Sequence, residues 1–570
     1  MECSMIRDIL LDNKYISEIE IKQNGIFCSK SYKFVIYCNL EVYVKWIPIV
    51  IGIPKDWEIS LFDFYWNGEF PFIPHIDKNG KFCLYHLEGA LIDTNFYGLL
   101  NQCIDRAREL VKNGETGNNK EDFLTEFDSY FFLLPGVRIG KVAIPKLKDS
   151  RNIKFHEKLV DNRKQNETYV EYISRQQNTS YYSSSEPEDF ETWGITGTQQ
   201  NGIYLYIEPN SPIYPPKYSN FDGIKFINEL FKYVDKKTFN KLRLKCENKL
   251  FVIFEIKQDE TNTNCCGFII ENPVFIIEDK VKFKSCNKLV PLVVHRIDTQ
   301  YLTNRTSFST NKLEDKSFLI IGCGSIGGYV FHNLIKSGCK NITIVDNDRM
   351  SAENIYRHFL GIESVGRYKT VALEKYAKNT ISEIKIKSIT KKIEDAINDC
   401  KIELNDYDYI ISATGNHIIN LWLNKFIIDN KIKCTIFYIW NEVLDIGCHV
   451  ALINSEKYFD YRNLFGRDEN GELFDLTSFT MKGQTFTKSY SGCVGTFIPY
   501  GSTISLKSSL LFIDMLKQDI EGRIKSNVLC SEKGDDYYLK KAGFKISDRY
   551  KNQQNRCIMV NLEDLEKENY

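Results

Sequence analysis

The sequence predicts a multidomain chain of α+β and α/β parts. Three observations carry this. The length of 570 residues, at roughly 100–200 residues per domain, calls for about three or four domains. The texture changes near residues 135 and 295. In the last part, short apolar runs alternate with a glycine turn and amphipathic helices. We expect an α+β domain at 1–135, a mixed linker domain at 136–295 and a doubly wound α/β domain at 296–570.

In the first domain, Phe34-Val35-Ile36-Tyr37 and Trp46-Ile47-Pro48-Ile49-Val50-Ile51 read as strands. Leu99, Leu100, Cys103, Ile104, Ala107, Leu110 and Val111 then recur at threes and fours, one face of an amphipathic helix that Asn113-Gly114 is expected to end. The middle region places strands at Gly202–Ile207 and Leu250–Ile256. The stretch from Asp161 to Gly202 is too polar to pack continuously and reads as exposed loop. In the last domain Ser317–Ile321 and Asn341–Val345 look like buried parallel strands. Between them Ile326, Val330, Phe331, Leu334 and Ile335 mark one side of a helix, giving a βαβ unit.

Composition narrows the function classes. Lys plus Arg is 74 against 75 for Asp plus Glu, a net charge of -1, so no nucleic-acid-coating or membrane-coating role is expected. Hydrophobic residues at 43% and charged residues at 26% are enough to bury cores. The 17 cysteines contain no CxxC pair, which excludes a four-thiolate zinc site and argues for a reducing, cytoplasmic setting with no metal site. No basic segment followed by an apolar run opens the sequence, and no stretch reaches the roughly 18–20 apolar residues of a membrane span.

Gly322-Cys323-Gly324-Ser325-Ile326-Gly327 fits GxGxxG directly after a strand and at the start of a helix, where backbone N–H groups can meet phosphate. That motif alone serves NAD, FAD and ATP alike. Asp346, ending the second strand, is placed to bond ribose hydroxyls. Asn354, Arg357 and Lys369 follow. A dehydrogenase has no use for such a cluster, whereas attack on an ATP α-phosphate needs positive charge on the departing pyrophosphate, so the residues favour ATP.

In this order GxGxxG, D-x-D, N-x-x-R and G-x-x-K resemble the adenylation domain of the ThiF, MoeB and ubiquitin-activating-enzyme superfamily. The resemblance implies ATP with Mg2+, ribose binding by Asp346, phosphate contacts by Asn354, Arg357 and Lys369, and a homodimer in which Arg305 reaches an ATP phosphate. Two features depart from the family. Ile411-Ser412-Ala413-Thr414-Gly415-Asn416 lacks the acidic signature near magnesium, and the structural zinc lacks its cysteine pairs.

Adenylate chemistry that ends on a protein passes through a thioester, which needs a reactive cysteine. Cys493, in Ser491-Gly492-Cys493-Val494-Gly495, is the first candidate, with Cys434 and Cys448 behind it. The second is Cys83. Phe70-Pro71-Phe72-Ile73-Pro74-His75-Ile76 followed by Gly80-Lys81-Phe82-Cys83-Leu84 resembles the core of ubiquitin-conjugating enzymes, departing from it at the usual histidine-proline-asparagine tripeptide. Lys81 and His86 are cations able to favour a thiolate there.

Together the domains are similar to the fused ubiquitin-transferase-like proteins of bacterial antiphage CBASS operons. That resemblance implies a protein substrate, a cGAS-like cyclic-nucleotide synthase activated through its C terminus, and a relay from Cys493 to Cys83 to a target amine. Polar loops between about 136 and 202 are expected to let the domains meet. A ThiF- or MoeB-like activator of a sulfur-carrier protein and an inactive nucleotide-binding scaffold are the competing readings.

Overall fold

The computed structural model describes all residues apart from 1–2, 86–94, 146, 158–179, 185–189, 191–192, 194, 196–198, 243–247, 261, 278–280, 304–312, 382, 458, 492–493 and 568–570. The chain divides into two compact units, residues 1–187 with 197–295, and residues 188–196 with 296–570.

The first unit opens with a four-stranded antiparallel sheet in the order Ile16–Gln23, Phe34–Val42, Lys45–Ile53, Asp63–Trp66. Ile49, Val50, Ile51 and Ile53 are all buried because both faces are covered. One face packs on the helix Phe96–Thr116, the other on Tyr32 and Tyr65. The helix buries Leu99, Leu100, Cys103, Ile104, Ala107, Leu110 and Val111. It does not end at Asn113-Gly114. Gly114 lies within it because a Cβ there would stand 2.7 Å from Ile73 Cδ1, so this glycine serves close packing. The stop is Gly117, whose φ of 77° carries the left-handed cap.

The middle of the chain forms a closed barrel in the order Gln200–Ile207, Lys249–Lys257, Thr263–Glu271, Lys288–Arg296, Arg138–Val142, Ser180–Ser184, Arg151–Glu157. Ile153, Phe155, Tyr204, Phe251, Ile253 and Leu292 form one of its cores. On the alternate faces Leu205, Val252, Phe254 and Phe268 pack with Phe226 and Leu230 of the helix Gly223–Phe231. The reading of 161–202 as loop therefore needs correcting at Ser180–Ser184, a paired strand rich in Ser and Tyr whose polarity hid it. Among the described residues of the stretch 136–202, Arg138–Val142, Arg151–Glu157 and Ser180–Ser184 are barrel strands and a fourth begins at Gln200.

The second unit is built on an eight-stranded sheet in the order Lys385–Ile389, Asn341–Val345, Ser317–Ile321, Tyr409–Ser412, Thr435–Asn441, Gly447–Asn454, Val528–Lys533, Cys557–Asn561. The first five are parallel and the rest antiparallel. Helices Ser325–Lys336, Lys369–Thr380 and Ser502–Ile520 share a core on one face, and His417–Asp429 packs into the core of the other. Strand Ser317–Ile321 is the switch point, with its two neighbours reached by crossovers in opposite directions. Open α/β sheets bind ligands in the crevice at the carboxyl end of such a strand. Among the described residues no helix is long and apolar enough to cross a membrane.

Candidate functional site

At that switch point lies a cavity of about 440 Å³ lined by Gly322, Gly324, Asp346, Asn354, Arg357 and Lys369. Gly322 has φ 88°, and a Cβ on it would meet the Ala413–Thr414 backbone at 3.0–3.1 Å. Gly324 caps the helix Ser325–Lys336 without a side-chain bond, leaving the N-terminal N–H groups to a ligand. Gly327 sits one layer below, where a Cβ would stand 1.9 Å from Gly322 O.

Asp346 is held in place by two backbone donors. The Cys323 N–H donates to its Oδ2 (2.6 Å) and the Asp348 N–H to its Oδ1 (2.7 Å). Burial raises its carboxyl above the usual range, opposed first by the charge of Lys369. The Lys369 ammonium donates to Asp348 Oδ2 (2.9 Å), and Arg357 lies 5.5 Å from the Tyr500 ring centroid. Asn354 Oδ1 accepts from the Ser351 N–H (3.1 Å), so its amide NH2 is what it can offer a ligand.

Beneath the turn, buried His358 donates from Nε2 to Cys323 O (2.8 Å) and accepts at Nδ1 from the Leu360 N–H (2.9 Å). Desolvation pushes its pKa down to about 4, so the ring is neutral. Its Cε1 would stand 2.9 Å from a Cβ at position 328, which explains Gly328. Lys391, Asn441 and Tyr500 also line the cavity. No motif announces them. Lys391 could have been suspected from its place just past the third parallel strand, while Asn441 and Tyr500 arrive from far along the chain. Arg305 lies outside the described residues.

Cys493 also lies outside the described residues. Its two runners-up are corrected. Cys434 and Cys448 are buried in the cores on the two sheet faces, and burial pushes Cys434 up to about 11 and Cys448 higher still, so neither presents a thiolate.

Cys83 is exposed on a short arm pinned to the strand Asp63–Trp66. The Phe82 N–H donates to Phe64 O and the Trp66 N–H to Gly80 O, both at 2.8 Å, and the Cys83 N–H donates to His75 O (2.8 Å). Lys81 is not directed to the sulfur in the way the sequence suggests, because it pairs with Asp63 at 2.7 Å. His86 lies outside the described residues.

Among the described residues, the imidazole at Cys83 is that of His75. Its Nε2 is 2.9 Å from Asp122 Oδ2 and its Nδ1 3.2 Å from Glu126 Oε1. Cys83 first, then Glu126 and Asp122, raise its pKa to about 10 against the cost of burial. The carboxylates come from a segment that is anchored to the barrel. Phe127 and Phe131 are buried in the core with Phe226 and Phe268, and Asn264 Nδ2 donates to Leu124 O (2.7 Å). The sequence hid this cluster because its members, residues 75, 83, 122 and 126, meet only through the fold.

Residues 299–520 match the ThiF family and residues 19–135 match Prokaryotic E2 family B. The chain is therefore a fused protein that joins an E2-like domain to a ThiF domain. Within that class it is similar to the ATP-dependent ubiquitin transferase-like proteins Cap2. The one from Pseudomonas aeruginosa is 26% identical over 242 residues, 41% of this chain and 42% of that protein. The one from Enterobacter hormaechei is 32% identical over 108 residues, 19% of this chain and 18% of that protein. The adenylyltransferase and sulfurtransferase MOCS3 of Aedes aegypti is 29% identical over 144 residues, 25% of this chain and 32% of that protein. The chain spans less than half the length of these curated relatives. Among solved structures, Escherichia coli MccB with MccA-N7isoASN is 18% identical, covers 44% of this chain and 66% of that one, and superposes with a TM-score of 0.32, too loosely to carry an argument.

Proposed function

We propose that the ThiF domain uses ATP to adenylate a protein C-terminal carboxylate and that the acyl group then moves through Cys493 to Cys83 and on to a target amine. The observation that carries this is the convergence of Gly322, Gly324, Asp346, Asn354, Arg357 and Lys369 on one cavity at the sheet's switch point. The free helix N-terminus suits a phosphate, Asp346 suits ribose hydroxyls, and Lys369 and Arg357 supply positive charge where pyrophosphate departs. Magnesium would come with the triphosphate, since the segment after Tyr409–Ser412 carries no acid to hold it.

Attack by a cysteine on the acyl-adenylate forms a thioester, which keeps enough acyl-transfer potential to pass to a second thiol and then to an amine. The similarity to Cap2 supports a role in CBASS-type antiphage defence. We propose in addition that a cGAS-like synthase is the activated protein and that the ThiF domain is a homodimer with Arg305 acting across it. The trapped intermediate is the test. Cys83→Ala should accumulate a reductant-sensitive adduct on Cys493, and Cys493→Ala should carry none on either cysteine. Normal conjugation by Cys83→Ala would favour a sulfur-carrier activator, the chemistry named for MOCS3.

A further inference from the structure

We propose that His75 is a catalytic residue of the Cys83 centre, its imidazolium clamped between Asp122 and Glu126 so that it pairs with the Cys83 sulfur whenever that sulfur carries negative charge. This rests on the reading of Cys83 as an acyl carrier.

The clamp is built from five residues, each fixing a different atom. Both ring nitrogens face carboxylates, Nε2 at 2.9 Å and Nδ1 at 3.2 Å, so both are protonated and the ring is a cation. The His75 N–H donates to Tyr130 Oη (2.6 Å), Tyr130 Oη donates in turn to Glu126 Oε2 (3.2 Å), and His75 O receives the Cys83 N–H. The backbone of His75 is left-handed, φ 65°, a conformation costly for a residue with a Cβ that persists only where its surroundings over-determine it. Cys83 is the first contributor to the raised pKa of the ring, ahead of Glu126 and Asp122. His75 and Cys83 together line both cavities that flank the sulfur.

Among the described residues, the other charged side chains around the ring are already matched. On the helix side Arg106 bonds Glu109 (3.2 Å), with Asp105 beside them. Across the second cavity Lys30 and Lys81 both pair with Asp63, and Asp77 holds the turn through the Asn79 and Lys81 N–H groups. Among the described residues the imidazolium is thus the cation suited to a thiolate at position 83. In transthiolation the Cys83 thiolate attacks the thioester carbonyl carbon. The new C–S bond forms, the old one breaks, and its electron pair leaves on the donor sulfur, which takes a proton from water. In aminolysis the acceptor nitrogen bonds that carbon and loses its proton to water. The C–S bond to Cys83 breaks, and its electron pair leaves on a sulfur that His75 pairs at once. Lowering the energy of that leaving thiolate is the catalytic gain.

The test uses the full chain. Alkylation of Cys83 by iodoacetamide is followed from pH 5 to 9 by mass spectrometry of its peptide, for wild type and His75→Asn, Asn being a side chain that tolerates left-handed backbone. The rate at pH 6 should fall about tenfold in the variant. As a second measurement that needs no His75 variant, the His75 ring is titrated by NMR in wild type and Cys83→Ala. Its pKa should fall when the sulfur is removed. Unchanged alkylation in His75→Asn, or an unchanged His75 titration in Cys83→Ala, overturns the proposal. Normal conjugation by Cys83→Ala overturns the acyl-carrier reading instead, and alkylation still reports the ring–sulfur pairing.

Discussion

Gly324 and Gly327 stand in the same turn, yet alanine at the two positions should fail in opposite ways. At Gly327 the added Cβ would lie 1.9 Å from Gly322 O and 2.9 Å from Gly322 C, both backbone, where ordinary contact needs more than 3 Å. The strand-to-helix turn must open by roughly 1 Å, an overpacking of the class that costs about 1–3 kcal/mol or more. At Gly324 the backbone is extended, φ -75° and ψ -156°, and the added Cβ meets nothing within 4 Å. Gly324→Ala should therefore fold as wild type while placing a methyl group at the helix N-terminus that a phosphate must approach. Differential scanning calorimetry and ATP titration calorimetry separate the two. Gly327→Ala should lose several degrees in Tm. Gly324→Ala should keep its Tm and lose at least tenfold in ATP affinity, about 1.4 kcal/mol. Wild-type ATP affinity in Gly324→Ala would refute the assignment of this turn to phosphate.

Lys369→Ala removes the buried ammonium paired with Asp348 and should reduce ATP–pyrophosphate exchange about 10²-fold with little change in Tm, read by radiolabel exchange and thermal melts. Gly117→Ala places a Cβ at φ 77° and should cost about 1 kcal/mol by urea denaturation, whereas Gly114→Val should cost more because it meets Ile73. His75 carries a pKa raised from 6.5 to about 10, so its stabilisation is complete below pH 6.5 and is lost as pH rises through 10. The Tm gap between wild type and His75→Asn should accordingly be widest near pH 6 and close toward pH 10. A gap that widens with pH would reverse that assignment.

The C-terminal fold was legible because a buried parallel sheet writes its strands as apolar runs and its phosphate turn as glycines with a fixed spacing. Asp346, Asn354, Arg357 and Lys369 follow in one short stretch, so local order and spatial order agree. The barrel was legible only in two of its strands, Gly202–Ile207 and Leu250–Ile256. Ser180–Ser184 pairs with Arg138–Val142 and Arg151–Glu157, and a strand of Ser and Tyr has no apolar run to announce it. Of the Cys83 centre, the Pro-rich stretch and the cysteine itself could be read. Of the two cations read there, Lys81 is held by Asp63 and His86 lies outside the described residues, while the carbonyl of His75, eight residues upstream, accepts the Cys83 N–H. Asp122 and Glu126 depend on the barrel that anchors them, and only the folded chain brings them to His75.

ATP-dependent activation of a protein carboxylate, as proposed for this chain, is open to direct measurement. Its most direct measurement is exchange of radiolabelled pyrophosphate into ATP by the purified full-length chain, with a cGAS-like synthase that keeps its free C terminus as the probe. Exchange should need the synthase tail, survive in Cys83→Ala and Cys493→Ala, and be lost in Lys369→Ala. Tight NADH binding with no exchange under any of these conditions would contradict it.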